Sequence, residues 1–581
     1  MTVNKEPWWK SAVVYQVWPA SFKDSNSDGI GDIPGLISKI DYLQDLGVDA
    51  VWLSPMYKSP QVDMGYDVAD FEAVHEPFGT MADMDVLIAE LHRRGMKLIL
   101  DLVVNHTSDQ HAWFKESRSS RDSPKRDWYI WRKPSYDQSG QRQPPNNWRS
   151  VFGGSVWEWD EHTEEYYLNY FSPEQPDLNW DNPETRRAIY NSAVRFWLDK
   201  GVDGFRVDTV NKYSKPAQFL DAKVRDPSMP WQYAYDMFCN GPRMHEFLKE
   251  MHSEAIAPYG DIMTVGELPC TPDPNEVYQY VSAKEKELNM VFHFDMIHLG
   301  MGTVRKFLPE PFALRDVKRC LSRWQEFAQG KDMWTTSFAE NHDVGRSVSR
   351  FASDLPEWRE RSAKLLAMML CTLTGTLYIY QGQELGMVNV PKSWPLEEYK
   401  DLETHNFYNK IRKESNNDPI KMREAMDGLA VLARDHARTP VQWDTTEHAG
   451  FTDGTPWMKV HPNYKEVNAS RQLGEPDSVH RFWKTMLELR RQHSMLGHGD
   501  FREYEKNSNS LFMYTKTNSS GDGVTALVVL NFTDQRSEFS IPDDLGAVEL
   551  RCVLHNVKKD VNTSDNELAP YEGRLYISTS S

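Results

Sequence analysis

Residues 182–210, NPETRRAIYNSAVRFWLDKGVDGFRVDTV, predict a helix that leads directly into a buried strand. Asn182-Pro183 predicts the start of the helix, because an Asn side chain caps the first amide groups and proline suits the first turn. Gly201 predicts its end. Its apolar stripe consists of Tyr190, Ala193, Val194 and Trp197. The apolar run GFRVDTV (204–210) follows as a strand, which indicates a helix packed against a sheet.

This helix–strand unit recurs along most of the chain. The further apolar runs are VDAVWLSP (48–55), KLILDLVV (97–104), IMTVGEL (262–268), MWTTSFAEN (333–341) and TLYIYQGQELG (376–386). Continuous apolar runs separated by amphipathic helices indicate parallel strands that helices cover. So many units in one chain favour a closed barrel over an open sheet, and we predict an α/β protein built on a (β/α)8 TIM barrel.

Two segments depart from this alternation. Residues 107–173 are polar and rich in Trp and Pro, which indicates a small domain inserted after strand 3 of the barrel. Residues 505–581 consist of short apolar runs separated by turn residues, a pattern typical of a C-terminal antiparallel β-sandwich domain. The predicted barrel therefore comprises residues 1–106 and 174–504.

The composition argues against several kinds of partner. A formal net charge of −19 would repel phosphates, so we expect neither nucleic acid nor a membrane as a partner. The five scattered cysteines show no C-x-x-C spacing, and the N-terminus lacks the pattern of a signal peptide. These features predict reduced thiols in a cytoplasmic protein. The sequence leaves both a monomer and a homodimer open.

Charged residues occur where the predicted strands end, which is the edge where barrel enzymes place their active sites. Arg206 and Asp208 share a strand face because they are two residues apart, while VGE and ENHD place Glu267 and Asp343 at two further strand ends. Singly, such a carboxylate is most often a cap or turn residue, and Arg206 with Asp208 also fits a buried ion pair. Three carboxylates at strand ends of one barrel favour a catalytic site.

Paired carboxyl groups of this kind suit glycoside hydrolysis with retention of configuration. One carboxylate, kept ionised beside an arginine, attacks the sugar, and a second carboxyl group about 5–5.5 Å away acts as acid and base. The acid needs a pKa raised toward roughly 6–7 by burial and by a neighbouring carboxylate. Asp208 suits the first role, and Glu267 suits the second.

Four strings carry a resemblance to a known family. In chain order, DLVVNH, GFRVD, VGE and ENHD resemble the four conserved regions of the α-amylase superfamily, glycoside hydrolase family 13. The strings MGYDV, QPDLNW and ARTPVQW narrow this resemblance to the oligo-1,6-glucosidases and the maltase-type α-glucosidases, over roughly residues 8–500. The resemblance implies an enzyme that acts on small oligosaccharide substrates.

The resemblance also implies roles for individual residues. Asp208 would be the nucleophile, Glu267 the acid/base, and Asp343 the carboxylate that stabilises the oxocarbenium-like transition state by fixing sugar hydroxyls. The residues implied to line the glucose ring are Tyr66, His106, Arg206 and His342. Those implied to clamp the non-reducing end, and so to make a blind-ended, exo-acting pocket, are Asp63 and Arg438. Further subsite positions are matched by Phe152, Phe171 and Gln175, although such phenylalanines are more often local packing.

The residue after the nucleophile, Thr209, bears on the linkage that is cleaved. In the family that this chain resembles, Thr here goes with α-1,4 linkages as in maltose, and often with sucrose, whereas Val goes with α-1,6 linkages. One added hydroxyl changes discrimination by about 1–3 kcal/mol. We therefore expect maltose-type substrates, poor activity on starch, and transglycosylation at high substrate concentration.

Several alternatives stay open. Two alternatives use the same scaffold, an oligo-1,6-glucosidase and a glucosyl-transferring sucrose isomerase. The RLDRD loop familiar from such isomerases is absent, because the corresponding stretch reads VGRSVSRF here. A non-enzymatic transporter-associated subunit is a remote alternative, because such relatives carry a membrane helix and lose catalytic carboxylates. A purely sugar-binding module has no need of an acid beside the nucleophile.

Acidic and amide side chains recur at every second position of KDSNSDGIGDIPG (23–35). An EF-hand is excluded because position 12 of the loop is Gly35 instead of a bidentate Glu. A turn before a helix explains the glycines but not three carboxylates so close together, whose repulsion a cation relieves. The resemblance implies a structural Ca²⁺, with Mg²⁺ as the alternative. The implied ligands are Asp24, Asn26, Asp28, the Ile30 carbonyl and Asp32.

Overall fold

A computed structural model describes residues 6–303, 305–518, 524–545, 549–557 and 565–578. Eight of its strands form one sheet of parallel strands. These strands are β1 (Val13–Val17), β2 (Ala50–Leu53), β3 (Lys97–Leu102), β4 (Gly204–Val207), β5 (Met263–Leu268), β6 (Met290–His293), β7 (Thr336–Ser337) and β8 (Thr376–Tyr380). Their order in the sheet is β6-β5-β4-β3-β2-β1-β8-β7.

The first strand of this sheet lies beside the last. β1 pairs in parallel with β8, from Val13 opposite Leu377 to Gln16 opposite Tyr380. Every residue of both strands is buried, as continuous apolar runs require. A sheet that follows the chain order and returns from its first strand to its eighth has the topology of a (β/α)8 barrel, so the predicted fold class is confirmed.

By internal contacts the chain divides into two compact units, and the division falls within β2. The first unit comprises Met1–Val51, Glu90–Met96 and Asp295–Ser581 and contains β1, β7 and β8. The second comprises Trp52–Ala89 and Lys97–Phe294 and contains β3 to β6. The domain boundaries expected from the sequence stay a prediction.

The segment expected to be an inserted domain belongs to the second unit. It contains a helix, Ala112–Arg118, and a three-stranded antiparallel sheet formed by Trp131–Arg132, Trp157–Asp160 and Glu165–Leu168. Trp148 and Tyr170 from this segment share a buried cluster with Phe238 and Cys239, which follow β4 in the chain. The inserted segment is therefore packed against the connection that leaves β4.

Helices precede and follow the strands. Those of the second unit include Pro183–Ile189, Phe196–Asp199, Tyr235–Phe238, Met244–Met251 and Pro274–Val281. Those of the first unit include Ile33–Ile37, Ile40–Leu46, Leu314–Ala328, Ser347–Phe351, Arg359–Cys371, Leu402–Glu414, Pro419–Leu432, Asp435–Arg438 and Val479–Gln492, and Met81–Arg93 spans the division. The Asn182 side chain caps its helix as predicted, by accepting from the Glu184 amide, and this helix widens to a π-helix at Tyr190–Arg195.

The C-terminal part of the first unit is an antiparallel β structure. Its main sheet contains β9 (Asp500–Tyr504), β10 (Leu511–Thr517), β11 (Thr525–Asn531), β12 (Leu550–His555) and β13 (Gly573–Ser578), in the order β9-β10-β11-β13-β12. A second, two-stranded sheet pairs Ser537–Glu538 with Glu567–Leu568. Leu527 and Val529 of β11 lie in a buried cluster with Phe539 and Leu568, so apolar side chains fill the space beside the main sheet.

Two strands differ from the sequence prediction. The run at 333–341 forms a ladder with β8 at Thr336 and Ser337 alone, because the chain then turns and the Asn341 side chain accepts from the Asp343 amide at 2.8 Å. β6 lies in a short apolar run between polar segments and was not among the predicted strands. None of the helices in the described residues combines the length and apolar character needed to cross a bilayer.

Candidate active site

One arginine in the second unit holds three carboxyl groups. Arg206 is 1% exposed, and its Nη1 lies 2.7 Å from Asp101 Oδ1 and 2.5 Å from Asp208 Oδ1. Its Nη2 lies 2.9 Å from Glu267 Oε2. The register of the sheet explains this cluster, since β4 pairs with β3 on one side and β5 on the other and Arg206 is opposite Asp101. A single guanidinium thus joins the ends of three adjacent strands.

Burial and charge oppose each other in this cluster. Burial raises the pKa of Asp208, the Arg206 charge lowers it, Asp101 raises it, and a hydrogen bond with Glu267 lowers it, with a net rise. Burial also raises the pKa of Asp101 to about 6, against the opposing charge of Arg206. Two carboxyl groups can hydrogen-bond each other only when one carries a proton. A hydrogen bond between Asp208 and Glu267 therefore requires one proton on the pair.

Thr209 lies between the two carboxyl groups that were expected to be catalytic. Its amide donates to Glu267 Oε2 at 3.0 Å, and its hydroxyl donates to Asp208 Oδ2 at 3.2 Å. Its φ of 37° is in the left-handed region, which is rare for a β-branched residue. The Tyr213 hydroxyl donates to the Asp208 carbonyl at 3.0 Å and fixes the same turn.

A second group of expected site residues surrounds His106. His106 Nε2 lies 3.0 Å from the Tyr66 carbonyl oxygen, and the Gln175 amide nitrogen lies 3.2 Å from both His106 Nε2 and Asp63 Oδ2. The Tyr66 hydroxyl donates to Asp101 Oδ2 at 3.2 Å, which connects this group to the arginine cluster. Burial lowers the pKa of His106 to about 4, so the imidazole is neutral at physiological pH.

Aromatic rings extend this group. The Phe171 ring centroid is 5.0 Å from that of His106 and 5.9 Å from that of Phe152. The Lys212 ammonium lies 4.8 Å from the Phe171 centroid, and its charge lowers the pKa of Asp208. Phe171 thus lies beside His106 and Phe152 lies beside Phe171, and their contact with a sugar stays a prediction.

The first unit carries the remaining expected residues as a separate group. His342 Nε2 lies 3.0 Å from Asp343 Oδ2, while Gln16 binds His342 Nδ1 at 2.8 Å and Trp18 stacks on the imidazole at 5.3 Å. Arg438 Nη2 donates to Asp343 Oδ1 at 3.3 Å. Burial would raise the pKa of Asp343, but His342 and the arginines outweigh it, and the pKa falls well below its ordinary value. Asp343 is therefore ionised at physiological pH.

Sequence reasoning missed three charged residues of these groups. Arg434 Nη1 donates to Asp343 at 3.1 Å, and both Arg434 and Arg438 bind Asp401, at 2.7 and 2.6 Å. The i, i+4 spacing of the two arginines is a signal for a shared helix face, but nothing in the sequence identifies Asp401 as their partner. Lys212 was also missed, and Asp101, which lies in the string DLVVNH, was given no role.

The residues expected to hold a cation form a hydrogen-bonded loop in the first unit. Asp24 accepts from the amides of Asn26, Ser27 and Gly29 and from the Thr452 hydroxyl, so its four lone-pair sites are all used. Asp28 accepts from the Ile30 amide at 2.8 Å and keeps most of its acceptor capacity. Asn26 accepts from Asp28, and Asp32 caps the next helix through the Gly35 amide.

The donor types of this loop fit a hard cation, which prefers carboxylate, amide and carbonyl oxygens. Within the described ranges, no cluster of three or more His, Cys, Asp or Glu side chains has the arrangement of a metal site. A cation here would therefore depend on the Asn26 amide and the Ile30 carbonyl beside the carboxylates. The cation site stays a proposal.

The expected site residues thus fall into two groups. The second unit brings together Asp63, Tyr66, His106, Phe152, Phe171, Gln175, Arg206, Asp208, Thr209 and Glu267. The first unit brings together His342, Asp343 and Arg438. A barrel with paired carboxyl groups on a buried arginine at its strand ends defines a class of protein, the glycoside hydrolases.

Comparison with known proteins identifies the family within the glycoside hydrolases. Residues 16–499 match the model described as "Alpha amylase, catalytic domain". An alpha-glucosidase of Candida albicans is 51% identical over 99% of this chain and 100% of its own length, and an oligo-1,6-glucosidase of Parageobacillus thermoglucosidasius is 46% identical over 98% of each. A solved trehalulose synthase superposes with a TM-score of 0.91 at 42% identity, over 98% of this chain and 100% of that one. The chain belongs to the alpha-amylase family of glycoside hydrolases.

Proposed function

We propose that this protein is a retaining, exo-acting α-glucosidase that releases glucose from the non-reducing end of short oligosaccharides. The observation that carries the proposal is the contact of Arg206 with Asp208 and Glu267 through its two terminal nitrogens. A hydrogen bond between the two carboxyl groups accompanies this contact. One member is therefore available as an ionised nucleophile and the other as a proton donor, which are the two roles that retaining hydrolysis needs.

The first chemical step follows from these roles. A carboxylate oxygen of Asp208 attacks the anomeric carbon while Glu267 gives its proton to the glycosidic oxygen. The bond to the leaving sugar breaks, and a covalent glucosyl ester forms on Asp208. The amide of Thr209, which binds Glu267 Oε2 at 3.0 Å, holds the acid in position for this transfer. From the resemblance, Asp343 is the third catalytic carboxylate, which binds sugar hydroxyls.

The second step restores the enzyme. Glu267, now ionised, takes a proton from a water molecule, whose oxygen attacks the anomeric carbon as the ester bond to Asp208 breaks. Glucose leaves with its original anomeric configuration. When a second sugar hydroxyl takes the place of water, the product is a longer oligosaccharide, so we expect transglycosylation at high substrate concentration.

Thr209 supports a preference for α-1,4 over α-1,6 linkages, with sucrose as a further substrate. Its hydroxyl is bound to the nucleophile at 3.2 Å, where it can contact the leaving sugar. Asp63 and Arg438 are the proposed clamp on the non-reducing sugar, and a blind pocket of this kind disfavours starch. The relatives carry both the alpha-glucosidase and the oligo-1,6-glucosidase names, so they support the class and leave the linkage to experiment.

A second candidate is glucosyl transfer within sucrose. The similarity to a trehalulose synthase over almost the full chain supports this candidate. Both reactions share the glucosyl ester and differ in whether water or the released sugar captures it. Hydrolysis gives glucose and fructose from sucrose, whereas the isomerase reaction gives a new disaccharide.

Initial rates on maltose, isomaltose, sucrose and starch, measured side by side with product analysis, test this proposal. We expect maltose to be cleaved faster than isomaltose and starch to be cleaved slowest. A purified protein inactive on all four sugars contradicts the proposed function, and a disaccharide as the main product from sucrose supports the second candidate.

Asp208→Asn tests the nucleophile. Because the amide cannot form the glucosyl ester, we expect kcat on maltose to fall by at least about a thousandfold, or about 4 kcal/mol in the barrier. Thermal unfolding monitors the fold of the variant. The matched control is Asp122→Asn at an exposed position of the inserted segment, which should keep the wild-type rate. A fully active Asp208→Asn enzyme excludes this residue as the nucleophile.

A further inference from the structure

Two lysines lie buried three residues apart on the connection after β4, and their surroundings differ. Lys215 is 6% exposed, and its ammonium nitrogen lies 2.7 Å from Asn105 Oδ1, 2.6 Å from the Lys212 carbonyl oxygen and 2.7 Å from Asp177 Oδ2. These acceptors match the donors of an ammonium group, so Lys215 is a satisfied structural residue. Lys212 is 4% exposed, but its ammonium makes no hydrogen bond or ion pair with any residue that the structure describes.

The Lys212 ammonium lies against an aromatic ring of the proposed site. It is 4.8 Å from the Phe171 ring centroid, and that ring is half-buried and 5.0 Å from the His106 ring. A ring face attracts a cation, but an ammonium group carries three donors and one ring does not accept from all of them. A buried charge without hydrogen-bonding partners is costly. The donors that the ring leaves unused are therefore available to a ligand.

The turn that carries Lys212 is bonded to the residue that binds the proposed acid. The Lys212 amide donates to the Thr209 carbonyl at 3.0 Å, in the 3-10 turn Val210–Lys212. The Thr209 amide donates to Glu267 Oε2 at 3.0 Å. A general acid must reach the glycosidic oxygen, so Glu267 lies on the side of the leaving sugar. Lys212 therefore follows, by one turn, the segment that is nearest to that sugar.

We infer that Lys212 is a substrate-binding residue whose ammonium donates to a hydroxyl group of the leaving sugar, an inference that rests on the proposed function. The ligand class is a polyhydroxylated sugar, whose hydroxyl oxygens accept from the ammonium and whose C–H face packs on the Phe171 ring. The acceptor sugar of transglycosylation takes the place that the leaving sugar vacates, so Lys212 binds the acceptor as well. A leaving group without hydroxyl groups gains nothing from this contact.

A purely electrostatic role for Lys212 predicts a different pattern. Its charge lowers the pKa of Asp208, so its removal would raise that pKa and move the acidic limb of the pH–rate profile to higher pH. This change acts on the nucleophile and therefore affects every glucoside alike. On the plateau of the profile, where Asp208 is ionised, it does not discriminate between leaving groups. A loss confined to substrates with a sugar leaving group thus distinguishes binding from electrostatics.

Lys212→Met tests the inference, because methionine keeps an apolar stem of similar length and removes the ammonium. We measure kcat/KM on maltose and on p-nitrophenyl α-glucoside at the plateau pH of each variant. The ratio of the maltose value to the aryl glucoside value should fall by about 10- to 100-fold, as for the loss of a hydrogen bond from a charged group. Lys223→Met, at an exposed lysine of the same connection, is the matched control and should keep the wild-type ratio.

Lys212→Gln is the second variant, which guards against a loss of fold in Lys212→Met. Glutamine keeps a polar head without the charge, so the same ratio should fall by a smaller factor. Thermal unfolding monitors the fold of both variants.

The acceptor provides an independent readout. With the aryl glucoside as donor and maltose added as acceptor, the glucosyl ester is divided between water and maltose. The ratio of transfer product to glucose should fall in Lys212→Met and stay at the wild-type value in Lys223→Met. This ratio compares two fates of one intermediate, so it does not depend on how fast the ester forms.

The outcomes separate this inference from the proposed function. An unchanged ratio of the two kcat/KM values in both Lys212 variants, with or without an equal loss on both substrates, overturns the inference and leaves the α-glucosidase activity standing. A wild-type protein that cleaves neither maltose nor the aryl glucoside overturns the proposed function, and the inference with it.

Discussion

At the scale of single residues, Thr209 combines a strained backbone with hydrogen bonds to the two proposed catalytic carboxyl groups. A β-branched residue at a φ of 37° carries a cost of about 1–3 kcal/mol, which its surroundings must offset. Its amide and hydroxyl offset part of this cost by binding Glu267 and Asp208. The strained conformation therefore fixes the direction of a hydroxyl that lies beside the proposed nucleophile.

Thr209→Val is expected to shift the linkage preference toward α-1,6. Val keeps the β-branched shape, so the backbone strain is unchanged, but it removes the donor to Asp208 Oδ2. We expect the ratio of kcat/KM on isomaltose to kcat/KM on maltose to rise by about 10- to 100-fold, in line with about 1–3 kcal/mol for one hydroxyl. The control, Thr209→Ser, keeps the hydroxyl and should leave the ratio close to that of the wild type. An unchanged ratio in the Val variant, or an equal rise in the Ser variant, contradicts this role.

The sequence predicts the individual catalytic candidates, but it does not predict which residues contact them. Arg206 and Asp208 are two apart on a strand, and that spacing alone places them on one face. The contacts of Arg206 with Asp101 and Glu267 depend on the register of β3, β4 and β5, which the sequence does not encode locally. Asp401 was missed for the same reason, because its partners Arg434 and Arg438 lie on a different element.

At the scale of elements, the loop between β1 and the helix Ile33–Ile37 is closed by its own side chains. Asp24, Asn26 and Asp28 each accept from a backbone amide a few residues further on. Gly29 has a φ of +90°, and a Cβ there would lie 1.8 Å from the Thr455 carbonyl oxygen, so only glycine fits. The loop has a fixed shape before any cation binds, which favours binding because little ordering entropy is lost.

We propose that Ca²⁺, or Mg²⁺, binds this loop and stabilises the first unit. A cation at about 100 times its Kd adds about 2.7 kcal/mol of stability, so we expect added Ca²⁺ to raise Tm by a few degrees and a chelator to reverse the rise. The kcat at a temperature well below Tm should change by less than about twofold. Differential scanning fluorimetry with and without Ca²⁺ measures the shift.

Two alanine variants test the assignment of the cation loop. Asp28→Ala should remove the Ca²⁺-dependent rise, whereas Asp137→Ala is the matched control. Asp137 also accepts from backbone amides in a tight turn, at 2.9 Å from Ser139, but it lies outside the predicted loop. The absence of any shift with either cation, or a shift that survives in Asp28→Ala, rejects the site.

The elements themselves were predictable where the apolar pattern was long. The helix start at Asn182-Pro183 and the strands within 97–104 and 204–210 follow directly from capping and from continuous apolar runs. β6 has four residues and β7 has two, and runs this short do not stand out from loops. These two strands are defined by their pairing with neighbouring strands, and that pairing exists only in the folded chain.

At the scale of the whole molecule, burial shifts the pKa values of histidines and of carboxyl groups in opposite directions. Burial lowers the pKa of five histidines to about 3 or 4, and these are His106, His111, His298, His436 and His480. It raises the pKa of two carboxyl groups, Asp101 and Glu384, to about 6. The histidines bind protons more readily in the unfolded chain, so they reduce stability as the pH falls from 6.5 toward 4, whereas the carboxyl groups act in the opposite sense.

The net expectation is acid sensitivity. Each such histidine loses about 1–2 kcal/mol of stabilisation between pH 6.5 and 5. Asp67, Asp208 and Asp435, whose pKa burial also raises, act with Asp101 and Glu384 to offset part of this loss. The ion-paired Asp343 and Asp401, whose pKa is lowered, add to the loss once the pH falls far enough to protonate them. Urea unfolding at pH 7, 6 and 5 should therefore show a midpoint that falls steadily. A midpoint that is constant or rises on acidification contradicts the expectation.

A single variant connects this behaviour to one side chain. His480 is fully buried, and its ring centroid lies 5.2 Å from that of Tyr42. His480→Gln should reduce the pH dependence of the free energy of unfolding by about one proton, or about 1.4 kcal/mol per pH unit. His162→Gln, at an exposed histidine of the inserted segment, should leave the pH dependence unchanged.

The pairing of β1 with β8 also has a consequence in time. A ribosome releases residues 13–17 early, but their partners at 376–380 emerge roughly 20 to 70 s later at about 5–20 residues per second. During that interval one edge of a mostly apolar strand has no native neighbour, and such an edge is a template for pairing with other chains. The edge of β1 therefore stays exposed during synthesis until β8 emerges from the ribosome. A chaperone that binds nascent chains would protect the protein from aggregation most during this interval.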